Sequence, residues 1–146
     1  MPGTSSYPAA YVQAARDEIA AQIRAYRDLV GAASKASGMS LTRIDAALAA
    51  FEPAFFNNLL IALEMRFVHR FRDVAGQDGN ALDEVRMLAA SLMDNAGVLA
   101  PDPTNRYDAG KAVLGIDIGD RIALNADDFE ALCAAFLAGI ERQFSA

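Results

Sequence analysis

The chain of 146 residues has one cysteine, Cys133, and one histidine, His69. A lone cysteine cannot close an intrachain disulfide, so a secreted scaffold stapled by disulfides is excluded. His69 and Cys133 also lie too far apart in sequence for any zinc-ligand spacing. Basic residues are in the minority, with 13 Lys and Arg against 19 Asp and Glu. The net charge of −6 and a pI near 4.6 argue against a broad phosphate-binding face, so no nucleic-acid partner is expected. Uninterrupted apolar runs are short. The longest candidate is broken by Asn57 and Asn58, below the ~18 residues that mark a membrane span, so no membrane segment is expected. Met1-Pro2-Gly3-Thr4-Ser5-Ser6 has neither a basic stretch nor an apolar one, and no signal peptide is expected. The location that follows from these absences is cytoplasmic.

What is present is globular: 53% of residues are apolar and 22% charged. The length suits one domain, expected over residues 8–146 behind a flexible tail of 1–7. Pro8 fits the first turn of a helix. Val12, Ala15, Ile19, Ile23, Tyr26, Val30 and Ala33 then recur every three or four residues, one stripe of a long helix ended by Gly38. Its flanking Ala14, Ala20, Ala21 and Ala32 would allow close approach of a second copy, so a homodimer with this helix at or near the interface is expected. Ser40 caps a second helix carrying Leu41, Ile44, Leu48 and Phe51. Pro53 is expected to break it and open a third helix, Ala54 to about Val74. That third helix is apolar nearly all round, which predicts the central position in the fold. Asn80 caps a fourth helix, with Asp83 as its capping-box partner, running to Gly97.

After a Pro- and Gly-containing loop the period changes from helical to alternating. Leu114, Ile116 and Ile118, then Ile122 and Leu124, predict a two-stranded β-hairpin around Gly119-Asp120, with Ile118 opposite Ile122. Asn125, answered by Asp128, caps the last helix, whose stripe is Phe129, Leu132, Cys133, Phe136, Leu137, Ile140 and Phe144. The expected fold is mainly α: a five-helix, orthogonal or bundle-like domain with a central apolar helix and a small two-stranded hairpin before the last helix.

Glu52-Pro53-Ala54-Phe55-Phe56-Asn57-Asn58 and Asp83-Glu84-Val85-Arg86-Met87-Leu88 resemble segments of uncharacterised small helical bacterial proteins. The resemblance covers the chain from about residue 52 onward and implies no activity.

Candidate chemistry centres on Glu64. At about 100° per residue it falls inside the apolar arc of the third helix, on one line with Asn57 two turns earlier. Arg86 projects to the edge of the apolar face of the fourth helix. Two readings stay open: Asn57, Glu64 and Arg86 line a pocket for a small polar ligand, with Glu64 as a possible base, or Glu64 and Arg86 form a buried ion pair that sets helix register. His69 projects onto a polar strip and reads as a surface residue; Cys133 sits in an apolar stripe and reads as an inert core thiol. Asp73 to Glu84 has the length of a calcium-binding loop, but Ala75, Gln77 and Asp78 occupy the wrong positions. Gly110-Lys111 lacks the rest of a phosphate loop. No cofactor and no metal are expected. The expectation is a non-enzymatic helical module acting through oligomerisation or a protein partner, with a small-ligand binding protein, or less readily an enzyme, as the alternative.

Overall fold

The computed structural model describes residues 7–37, 41–67, 81–102 and 107–144. Among these residues the fold has four helices: α1 (Ala9–Ser37), α2 (Leu41–Phe67), α3 (Ala81–Asp94) and α4 (Ala126–Phe144). The chain is mainly helical, as its periodicities require, but among the described residues neither a fifth helix nor the expected β-hairpin is found.

The count drops because Pro53 lies inside α2. A proline in a helix interior loses one backbone hydrogen bond and crowds the carbonyl four residues back, at about 3 kcal/mol. Three aromatic contacts offset this. Phe51 and Phe55, one turn apart across the proline, stack at 5.1 Å, and Tyr26 of α1 stacks on both, at 6.1 and 6.0 Å. Such pairs contribute ~0.5–1.5 kcal/mol each, enough to hold the helical phase through Pro53. The residues expected to extend the third helix to Val74, and the Asn80 cap, lie outside the described residues.

The α1 stripe is buried at Val12, Ala15, Ile19, Ile23 and Tyr26, whereas its last two positions are not: Val30 is half-buried and Ala33 exposed. Tyr7, assigned above to the flexible tail, is also buried, and its hydroxyl donates to the Phe67 carbonyl. Tyr11 donates to the Arg66 carbonyl at 2.8 Å. These two bonds tie the chain at the start of α1 to the last described turn of α2. With Tyr11 beside residue 66 and Tyr26 beside residues 51–56, α1 and α2 run antiparallel. Helix α4 packs against α1, α2 and α3. Its Phe129, Leu132, Cys133, Phe136, Leu137 and Ile140 are all buried. Helix α2 also touches the other three helices, yet only 17% of its most apolar stretch is buried. The enclosed position expected of it is filled more completely by α4. The Asn125 cap forms as read: its Oδ1 accepts from Asp128 N at 2.8 Å, and Asp128 Oδ2 accepts from Asn125 N at 3.3 Å.

The segment before α4 does leave the helical period, but it pairs with a different partner. Gly119 N–H donates to Leu99 O, Leu99 N–H to Asp120 O and Ile122 N–H to Gly97 O, all at 2.8–2.9 Å. The result is a single antiparallel bridge, Val98 to Arg121. Register follows the buried face, and the side chain that joins Ile122 and Leu124 in the core is Leu99, not Ile118, which is 45% exposed. Residues 113–116 are held instead by side chains. Buried Glu84 of α3 accepts Val113 N–H at 2.8 Å and Leu114 N–H at 3.0 Å, one on each carboxylate oxygen. Tyr107 donates to the Ile116 carbonyl, and Gly115 sits at φ +69°, where other residues are strained.

Replacing Glu84 with Ala strands both amides and is expected to cost about 2–3 kcal/mol, seen as a lower urea midpoint at unchanged slope. Glu84→Gln keeps one acceptor oxygen and should lose roughly half as much. A Glu84→Ala midpoint within error of the parent would show that the carboxylate does not hold this segment.

Candidate functional site

With its phase carried across Pro53, α2 divides into three longitudinal zones. One line, Phe56, Leu60, Leu63 and Phe67, is buried to 2% or less. Polar side chains flank that line and serve the fold. Glu52 accepts from Ala126 N at 3.4 Å, at the start of α4. It also accepts from the Tyr26 hydroxyl; burial first, then this bond and the Glu52 charge, push the Tyr26 pKa up to about 12. Asn57 donates to the Ile122 carbonyl at 3.1 Å and accepts from Leu124 N at 3.2 Å. Its amide thus pairs with the 122–124 backbone as a neighbouring strand would.

The third zone lies opposite the buried line and is a face without charge. Ala47, Ala54, Asn58 and Ala62 are exposed on it, together with Phe51 at 45% and Met65 at 57% exposure. From Ala47 to Met65 the face runs about 27 Å. An ordinary surface helix shows its polar side to water. Here the polar residues flank the body of the protein and the uncharged ones face solvent. Nor is any described side chain between Tyr26 and Phe56 buried, so the adjoining ends of α1 and α2 carry further exposed apolar surface, Leu29 at 66% included.

Of the three residues singled out from sequence, Asn57 is bound to the 122–124 backbone as described. Glu64 is half-buried on α2. Arg86 on α3 stands 3.5 Å from Asp83 of the preceding turn, and Asp83 is fully buried. No described ion pair or hydrogen bond joins Glu64 to Arg86, and α3 keeps Arg86 on the register of Asp83. Two clefts of about 340 Å³ each lie elsewhere. One is lined by Tyr26, Arg27, Glu52 and Asp127 among others, the second by Ser91, Asp94, Asn95 and Asp102 among others. None of Asn57, Glu64 and Arg86 lines either. In the first cleft Arg27 is already engaged, by Asp127 at 2.7 Å and Glu130 at 3.1 Å. Cys133 is buried in α4, and burial, reinforced by the Glu130 charge, pushes its thiol up to about 12. That thiol is protonated and shielded at neutral pH. His69 lies outside the described residues. Among the described residues no three of His, Cys, Asp and Glu gather closely enough to hold a metal ion.

Sequence reasoning found α2 apolar but missed its outward face, because a break at Pro53 separates the phases of residues 41–51 and 54–67. The signal was available. Continued as one helix, Glu52, Asn57 and Glu64 fall beside the buried line, and nothing charged falls opposite it. Comparison with known protein families, with curated proteins and with solved structures yields no match.

A double-mutant cycle separates the two partners open to Arg86. Asp83→Asn with Arg86→Ala is expected to depart from additivity by at least ~0.5 kcal/mol, while Glu64→Gln with Arg86→Ala should add within ~0.3–0.5 kcal/mol. Strong coupling of Glu64 to Arg86 and none of Asp83 would reverse this assignment.

Proposed function

We propose that the protein is a soluble, non-enzymatic helical module of the cytoplasm that acts by protein contact through the outer face of α2, with a homodimer as its basic state. The observation that carries this reading is the charge-free face from Ala47 to Met65, with Phe51 and Met65 about half exposed. Exposed apolar patches of this continuity mark interaction sites on folded proteins. The first helix, expected at the interface for its alanines, borders this face. Glu18 of α1 pairs with Arg66 of α2 at 2.9 Å, and exposed Ala21, Ala25 and Leu29 continue the Glu18 line at steps of three and four.

A ligand-site role would have to displace the two hydrogen bonds of Asn57 and draw Arg86 away from its ion pair with Asp83. A membrane role has one fact in its favour: α2 is long and apolar enough to span a bilayer, since its two asparagines do not interrupt the helix. Spanning would pull Phe56, Leu60, Leu63 and Phe67 out of the core. Lying on the surface is disfavoured too, because interfacial helices carry Lys and Arg beside their apolar face, and α2 has only Arg43 and Arg66 among 27 residues.

Sedimentation velocity over a range from micromolar to hundreds of micromolar should show the mass rising from 15.5 kDa toward twice that value. Ala54→Glu places a carboxylate in the middle of the contact and is expected to weaken it at least ~100-fold, the equivalent of about 2.7 kcal/mol. A monomer throughout the range, or flotation of the protein with lipid vesicles, would overturn the reading.

A further inference from the structure

The outer face of α2 is close to a mirror of itself about Asn58. Phe51, Ala54, Asn58, Ala62 and Met65 fall on it at steps of three, four, four and three. Reversing the chain direction about Asn58 therefore sets residue 58 against itself, 54 against 62 and 51 against 65. We infer that two copies of this chain pair antiparallel through α2, across a two-fold axis at Asn58; the inference rests on the proposed α2 contact and specifies its occupant and register.

The chemistry matches at every step of that alignment. The alanines at 54 and 62 let the helix backbones approach closely on either side of the axis. Phe51 of one copy meets Met65 of the other, an aromatic ring against a polarisable thioether. The two Asn58 amides meet at the axis, where each Nδ2 can donate to the other's Oδ1. A single polar residue in an apolar helix seam selects one register, because any slip buries it without a partner. An isologous contact needs this self-complementarity.

Charge agrees with a second copy as occupant, and area bears on how tightly it is held. Two chains of −6 repel, and meeting through a face free of carboxylates keeps their charges apart. Over the mirrored positions 51–65 the helices meet along about 21 Å and, at a width of ~10–12 Å, cover on the order of 200–250 Å² per copy, well below the ~800 Å² per partner of a standard interface. An interface of this size belongs to weak, transient contacts rather than obligate ones.

Engineered cysteines read the register directly, since the native Cys133 is buried. Under mild oxidation at high protein concentration, Asn58→Cys should cross-link to itself. Ala54→Cys mixed with Ala62→Cys should give the mixed dimer, while Ala54→Cys alone should not cross-link. In the antiparallel register two residues 54 lie about 12 Å apart along the helices, beyond the ~7 Å Cα reach of a disulfide. Self-cross-linking of Ala54→Cys without enrichment of the mixed dimer would mean parallel pairing. That result overturns this register and leaves the α2 contact standing. No cross-link from any variant, together with a monomer in sedimentation, overturns both.

Discussion

Tyr26 stacks on Phe51 and Phe55, and most of what distinguishes this fold follows from that three-ring contact. It spans Pro53 and keeps α2 a single helix. With the phase continuous, Glu52 and Asn57 come to the side where the chain returns toward α4, and they bind its backbone at 122, 124 and 126. The same phase leaves Phe51 half exposed beside Tyr26 and turns Ala54, Asn58, Ala62 and Met65 to the outside. Packing, loop anchoring and the exposed face are thus three results of one helical register.

The second constraint is that the chain between α3 and α4 must satisfy non-helical backbone without a sheet. It does so with carboxylate and amide side chains. Glu84 takes the amides of 113 and 114, and Asn57 pairs with 122 and 124. Residues 97–99 add backbone bonds to 119, 120 and 122. Buried polar groups usually find partners, and here those partners come from helices, so the apolar alternation at 114–124 does not end in a hairpin. Exposed ion pairs between α1 and α4, Arg16 with Glu141 and Arg27 with Asp127 and Glu130, add little energy each but agree with antiparallel packing of those two helices.

The sequence was most legible where one local pattern decides the outcome. The α1 stripe, the Asn125–Asp128 cap and the buried stripe of α4 are periodic or reciprocal signals that involve neighbours in the chain. It was least legible where residues far apart arbitrate. Pro53 reads as a break unless Tyr26, a full helix earlier, is known to bridge it. Ile118 reads as a strand partner for Ile122 unless Leu99 is known to fill that place. Glu84 was not singled out at all, since a carboxylate in a capping region carries no sign that it will reach two amides about thirty residues on. Of the site residues, Asn57 stood out for the right physical reason, a polar group in apolar company, but its partner is the protein's own backbone.

The central claim is that the outer face of α2 is covered in solution. Two methionines allow a controlled measurement, because Met65 on α2 and Met93 at the end of α3 are similarly exposed in the single chain, at 57% and 62%. Their methyl resonances can be broadened by a soluble paramagnetic probe at low and high protein concentration. The account predicts that Met65 becomes protected as concentration rises while Met93 stays accessible. Equal broadening of the two methyls at every concentration would contradict it.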